Sequence, residues 1–223
     1  MKHKIFKENN NTNEIEYIGD FEGLYNECID PWDKSAPEES KYSGYYKISR
    51  KRLVEILKPL NGQDLKLLEI GCGLGYVLES ISAECPELSL SGVDISNTAV
   101  IRAKEKFPNY NFYCSDITKL EQQFINKFDV VVVSQMLWYI LGDLLQVFEI
   151  IHAYTRRGGH LILTQAFFKN EQKFGREVID GYEGLINFIR SNLNNDFEIV
   201  FENLFCDTRV LHDDGLIKLK RKA

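Results

Sequence analysis

Residues 67–76 read LLEIGCGLGY, and this stretch limits the possible folds more than any other. A short apolar run passes directly into three glycines on alternate positions, Gly71, Gly73 and Gly75. Glycine adopts left-handed backbone without a steric penalty and lets the main chain approach a neighbour with no Cβ between them. A strand that ends in such a loop and opens a helix brings free N–H groups to the carboxyl edge of a sheet. From here onward the chain is therefore expected to be α/β, with its functional edge at this loop.

The pattern downstream agrees. LKLLEI (65–70) reads as a buried strand, YVLESISAEC as a helix ended before Pro86, and LSGVDI as the next strand. SNTAVIRAKEKF follows as a helix with Ser96 at its N-cap, then NFYCSDI as a third strand and ITKLEQQFIN as a short helix. FDVVVVSQ (128–135), with four consecutive valines, is the expected central strand; GDLLQVFEIIHAYTR is helical and GGHLILTQAFF is the fifth strand. Alternating strands and helices imply right-handed crossovers and a doubly wound parallel sheet. FEIVFENLF and GLIKLKRK flank the polar turn DTRVLHDDG with no room for a helix, so they pair as an antiparallel hairpin. The expected fold is Rossmann-like: a seven-stranded, mostly parallel sheet with helices on both faces, a C-terminal antiparallel hairpin strand and an N-terminal helical lid. Residues 1–60 form the lid and 61–223 the core. Within the lid, residues 1–13 are polar, Asn-rich and expected to fray. Leu53, Ile56, Leu57 and Leu60 have helical spacing that stops near Pro59 and Gly62.

At 223 residues and 44% hydrophobic, the chain has the size of one α/β domain and can bury a core without staples. A net charge of −6 argues against a nucleic-acid surface. No run approaches the length of a membrane span, and MKHKIFKENNNTNE lacks the apolar stretch of a signal peptide, so the cytoplasm is the expected compartment. Five cysteines without a C-x-x-C pair indicate neither a disulfide framework nor a metal cage.

Two ligands compete for the glycine loop: a dinucleotide and S-adenosylmethionine. The dinucleotide fingerprint is G-x-G-x-x-G, whereas here the third glycine comes one place early. Glu69, just before the loop, would repel a diphosphate but suits a cationic amino acid. Asp94 closes the second strand, 23 residues after Gly71, where a carboxylate can accept both ribose hydroxyls. Asp116 closes the third strand, placed for an adenine amine, and Ser134–Gln135 close the fourth. On these residues the sequence resembles the class I S-adenosylmethionine-dependent methyltransferases over about residues 60–223. The resemblance implies S-adenosyl-L-methionine as cofactor, S-adenosyl-L-homocysteine as product, and a binding set of Glu69, Gly71, Cys72, Gly73, Gly75, Asp94, Ile95, Asp116, Ile117, Ser134 and Gln135. Trp32 and Arg50 join that set from the lid.

SQMLWYI after the fourth strand, and DPW (30–32) ahead of YYKISRKRLVEIL, are similar to the small-molecule methyltransferases typified by the nodulation N-methyltransferase of rhizobia. Gln135 stands where that family tends to carry an acid. The resemblance implies a small-molecule acceptor, an amine or amino sugar, with no nucleic acid or membrane partner. O-Methylation of a sugar hydroxyl or small acid stays open, as do a non-catalytic donor-binding protein, a nucleotide-dependent oxidoreductase, and the choice between monomer and homodimer. Catalytic candidates are Gln135, Tyr46 and His212. His152 reads as packed or solvent-facing, His160 as structural, and His3 falls in the frayed tail. Gln165 closes the fifth strand at the productive edge. Trp32, Tyr42, Tyr45 and Tyr46 either pack the lid on the sheet or close over the ligands, with Trp138 and Tyr139 lining the same pocket. With no evident general base, an amine acceptor is favoured.

Overall fold

The computed structural model describes residues 2–8, 15–35, 43–61, 64–169, 172–206, 210 and 212–222. Tyr42 of the expected aromatic group lies outside them. Four valines place β6 (Phe128–Ser134) at the sheet's centre, because β-branched side chains suit a strand buried on both faces. β6 pairs in parallel with β3 (Lys66–Ile70) through Leu67↔Val130 to Ile70↔Val133, and with β7 (Thr155–Phe168) on its other side. β4 (Ser89–Asp94) and β5 (Asn111–Cys114) extend the sheet beyond β3, again in parallel. β9 (His212–Arg221) runs antiparallel beside β7, and β8 (Phe197–Phe205) forms the far edge, giving the order β5-β4-β3-β6-β7-β9-β8. The seven-stranded, mostly parallel sheet with its terminal antiparallel hairpin is thus the observed fold.

Helices cover both faces. α3 (Tyr76–Glu84), α4 (Asn97–Lys106) and α2 (Ser43–Leu57) enclose a core that includes Leu57, Leu78 and Val100 on one side. α5 (Leu144–Tyr154) and α6 (Gly181–Asn192) enclose Phe148, Ile186 and Leu219 on the other. Ser96 caps α4 as expected, its hydroxyl accepting from Ala99 N at 3.1 Å.

The boundaries differ in four places. ITKLEQQFIN yields only a 3₁₀ turn at Gln122–Phe124, where Phe124 inserts between Phe128 and Tyr154. α5 ends at Tyr154, and the helix expected to run on through Arg156 gives way to β7. β9 reaches back to His212, so the HDD of the expected turn is strand, pairing with Ala166–Phe168. The N-terminus, expected to fray, instead forms a hairpin of β1 (Phe6–Glu8) and β2 (Ile15–Tyr17), although 9–14 lie outside the described residues. The hairpin is held because Ile5 is fully buried and Phe6 packs on Tyr139 and Phe174, at 5.9 and 5.0 Å between centroids. Polar composition concealed these few apolar anchors.

α1 (Phe21–Glu27) is fastened to α4 at both ends. Glu22 accepts from the hydroxyls of Ser96 (2.7 Å) and Thr98 (2.6 Å), and Arg102 donates to the carbonyls of Tyr25 and Cys28. α2 is fastened to the terminal hairpin. Asp214, 1% exposed, accepts from Tyr45 (2.9 Å), Ser49 (2.8 Å) and Arg52 (2.8 Å). Removing a buried acceptor strands several donors at once, which costs far more than the net worth of one bond. Asp214→Ala is therefore expected to destabilise the fold by about 2–4 kcal/mol in denaturant unfolding, while Asp214→Asn, which keeps an acceptor for the hydroxyls, costs less.

Candidate functional site

The carboxyl ends of β3, β4, β5 and β6 open on a cavity of ≈ 320 Å³, roofed by the N-terminal hairpin, α1 and the segment that follows it. That volume lies within the range of small-ligand pockets, which start at about 300 Å³. The floor is the glycine loop. Gly71 (φ 72°) and Gly73 (φ 52°) both adopt left-handed backbone, and a Cβ on either would meet a side chain within van der Waals distance: Met136 Sδ at 2.5 Å or Tyr25 Oη at 2.6 Å. Gly75 (φ 82°) has a different task. It caps α3 and lies against Phe112 and Phe107, away from the cavity, so it serves helix–sheet packing. Cys72 also points away: its side chain is 2% exposed within the core beneath the loop, and its N–H donates to Val93 O.

Asp94 sits as expected at the end of β4. Its carboxylate accepts from Gly73 N (2.7 Å) and Ser96 N (2.9 Å), one bond on each oxygen, so it is oriented and keeps lone pairs for a ligand. Asp116 lines the far end of the cavity with Ile95 and Ile117. Its Oδ1 accepts from Thr118, and Lys119 lies 3.2 Å from Oδ2; these contacts outweigh the opposing cost of burial and hold the carboxyl below its ordinary range.

Glu69 is fully buried, and among the described residues neither of its oxygens has a hydrogen-bond partner. Burial pushes its carboxyl up to about 8, opposed by the positive charge of Lys34, assisted by the negative charge of Asp94 and opposed again by Arg50. Arg50 likewise has a buried, unpartnered Nη1, while its Nη2 reaches Lys34 O at 3.5 Å. Unpaired buried ionisable groups are costly and uncommon. A carboxylate and a guanidinium in this state beside a glycine cradle match the ammonium and carboxylate of a free amino-acid end, and Asp94 matches a ribose. The residues present therefore fit S-adenosylmethionine.

The catalytic candidates separate. Gln135 lines the cavity (φ 60°), but its amide is engaged: Oε1 accepts from Ala166 N (2.7 Å) and Tyr45 Oη (3.2 Å), and Nε2 donates to Ser49 Oγ (3.2 Å). Ser134 lines the cavity with its hydroxyl accepting from Thr164. Tyr46 is in the wall, and burial raises its hydroxyl further from ionisation. His212 lies outside the lining, edge-on to Tyr45 and Phe168. His152 accepts from Arg221 Nε, His160 pairs within β7 between β6 and β9, and Gln165 is buried and accepts from Leu137 N. Trp138, expected in the wall, instead packs on Phe167 and donates to Ala166 O.

The lining residues that carry no motif include Asp143, just ahead of α5, and four from the N-terminal segment. Tyr17 and Phe21 join Trp32 and Tyr139 in an aromatic wall, with Phe21 and Trp32 at 5.3 and 5.6 Å from Tyr139. Tyr25 places its hydroxyl on Gly73, where burial and the Asp94 charge keep it firmly protonated. Lys34 contributes the fourth. The signal for it was slight: a lysine two residues beyond DPW.

Residues 68–161 match the family model described as "Methyltransferase domain". The chain is 30% identical over 113 residues to malonyl-[acyl-carrier protein] O-methyltransferase of Bacillus anthracis, a match covering 48% of this chain and 41% of the relative. It is 26% identical over 191 residues to carboxy-S-adenosyl-L-methionine synthase of Campylobacter concisus, covering 82% and 74%. The chain spans less than half the length of the malonyl-carrier relatives of Bacillus species that it matches. In fold it resembles the [4+2]-cyclase SpnF (TM-score 0.72, 14% identity, covering 93% of this chain and 96% of that one). It also resembles the N-methyltransferase NodS of Bradyrhizobium japonicum in complex with S-adenosyl-l-homocysteine (TM-score 0.64, 18% identity, 91% and 98%). No helix among the described residues is long and apolar enough to cross a membrane.

Proposed function

We propose, from the match of residues 68–161 to a methyltransferase-domain model and the fit of the site to S-adenosylmethionine, that this chain transfers the methyl group of that donor to a small-molecule acceptor. The observation that carries the reading is Glu69: a fully buried carboxyl with two unpartnered oxygens, directly before left-handed Gly71. S-Adenosylmethionine supplies a methyl already activated as a sulfonium, displaced in line as S-adenosylhomocysteine leaves. The protein's part is to bind, orient and exclude water, and orientation alone can lower such a barrier by several kcal/mol. Glu69 holds the ammonium, Arg50 Nη1 the carboxylate and Asp94 the ribose hydroxyls, with Asp116 and Ile117 at the adenine. Gln135, fixed by Ala166, Tyr45 and Ser49, presents its backbone at the end of β6, and Trp32, Tyr46 and Tyr139 form a dry wall. The N-terminal 60 residues act as a lid over donor and acceptor.

Among the described lining residues there is no histidine, and burial moves the tyrosine hydroxyls of the wall away from ionisation: Tyr17 to about 12, Tyr46 and Tyr139 upward. Apart from carboxylates such as Asp143 the wall offers no base, which favours an acceptor that presents its own lone pair. A neutral amine does so, which supports N-methylation, as in the family typified by the nodulation enzyme. A carboxylate does so as well, and the relatives named as malonyl-carrier O-methyltransferases favour that second reading. Incubation of the chain with labelled donor and paired amine and acid acceptors separates the two.

Calorimetric titration with S-adenosylhomocysteine tests the donor site. Asp94→Ala is expected to weaken binding by about 1–3 kcal/mol, because two hydroxyls lose an acceptor. Gly73→Val is expected to remove binding, since its side chain would occupy the loop where Tyr25 already sits. The Glu69 carboxyl, near 8 when unpaired, is mostly protonated at pH 7. An arriving ammonium favours the ionised form, so binding expels a proton. Affinity should rise from pH 6 to pH 8, by up to about tenfold per unit, and flatten above 8. Glu69→Gln should flatten the whole profile. A folded chain that does not bind S-adenosylhomocysteine would sink the reading.

A further inference from the structure

Lys34 is a cation inside a cavity built for a cationic donor. Its side chain lines the same space as Gly71, Asp94 and Tyr46, and its ammonium lies 5.6 Å from the Tyr46 ring centroid. Three acids act on it: Glu69, Asp30 and Asp94. None is its partner. Among the described residues no acid lies within 4.0 Å of Lys34 in an ion pair, and neither Glu69 oxygen has a hydrogen-bond partner. The Asp30 carboxylate accepts from Ser35 N (2.7 Å) to close its own turn, and Asp94 accepts from Gly73 and Ser96. Burial lowers the Lys34 ammonium, opposed by the charge of Glu69, assisted by that of Arg50 and opposed again by Asp30 and Asp94.

Among the described residues, Lys34 still has no direct partner once the donor is present. Glu69 is taken by the donor's ammonium and Arg50 by its carboxylate, while Asp30 and Asp94 are held by backbone N–H groups and act on the lysine only at a distance. A cation facing an enclosed cavity without an ion-paired partner is costly. The remaining component of the reaction is the acceptor, and an acidic group on it would supply that partner.

We propose that Lys34 is a specificity-determining residue that binds an acidic group, a carboxylate or phosphate, of the methyl acceptor. This rests on the methyltransferase reading above and narrows its substrate class. An amine acceptor is then an acid-bearing amine, and in the second reading the acid is itself the nucleophile. The acid lies between the Lys34 ammonium and the aromatic wall, where it also screens the sulfonium from the lysine. Uncharged amines and sugars leave the charge unmet and bind weakly.

The test uses the full chain saturated with S-adenosylhomocysteine, whose own titration reports separately whether the donor reading stands. Matched acid and amide probes are then titrated: acetate against acetamide, glycine against glycinamide, benzoate against benzamide, with inorganic phosphate as the second acid class. The wild-type chain should favour the acid in at least one pair, or bind phosphate, by tenfold or more. Lys34→Met, similar in length but neutral, should erase that preference while leaving S-adenosylhomocysteine affinity within about twofold. Lys34→Arg should restore most of it. The proposal is overturned if no acid binds, if acid and amide bind alike, or if the preference survives in Lys34→Met. It is equally overturned if Lys34→Met weakens S-adenosylhomocysteine itself tenfold, which would make the donor's own carboxylate the partner of this lysine.

Discussion

A buried carboxyl without a hydrogen bond is the constraint around which this molecule is arranged. Glu69 is carried to full burial by β3, whose other residues gain by being there, and it cannot withdraw because Gly71 turns sharply beneath it. Such a group is tolerated in three ways: by taking a proton, by distant positive charge, or by a ligand. The structure provides the first two through its raised affinity for a proton and the fields of Lys34 and Arg50. The third is the function argued above. Stability and binding are therefore opposed at this residue, as expected where a site is kept ready for a charged partner.

The N-terminal segment belongs to the fold because polar groups tie it down at three separate places. Glu22 and Arg102 hold α1 on α4, Asp214 holds α2 on the hairpin, and Gln135 joins α2 to the ends of β6 and β7. The last two share atoms: Tyr45 donates within reach of both Gln135 and Asp214, and Ser49 donates to Asp214 while accepting from Gln135. One network thus runs from the C-terminal hairpin, through the lid, to the residue at the left-handed end of β6. A displacement of α2 would be felt at the cavity floor, which couples lid position to the geometry of the site.

The strand ends were legible because they repeat in register: a strand and then an acid, three times over, with an α-helix after the first two. Glu69, Asp94 and Asp116 each follow an apolar run and end a strand, so period and spacing were enough to place them. The same regularity misled at the glycines. Gly75 shares the spacing of Gly71 and Gly73 but faces Phe112 and Phe107, which only the path of α3 reveals. Gln135 was visible as a strand end, but not as an amide already engaged, because its partners Tyr45 and Ser49 lie some 90 residues away in sequence. The N-terminal hairpin was missed for the complementary reason. Its attachment depends on Ile5, Phe6 and Tyr17 within a polar stretch too short to show a period.

This difference in legibility follows from what each half recognises. A donor common to a whole class imposes the same acids and glycines wherever the fold binds it, and sheet edges repeat those positions. An acceptor imposes no such pattern. Here the remaining walls of the cavity come from segments with no common period: Tyr17 from a hairpin, Phe21 from a short helix, Trp32 and Lys34 from a turn, and Tyr139 from the loop after β6. Such segments can change residue by residue without disturbing β3, β4 or β6, because their anchors, Glu22, Arg102 and Asp214, are not the residues that line the cavity. These anchors thus stand apart from the cavity wall, while Gln135 both ties α2 down and lines it. On the proposal made above, acceptor choice resides in a lysine on a turn, apart from the strands that carry Glu69 and Asp94.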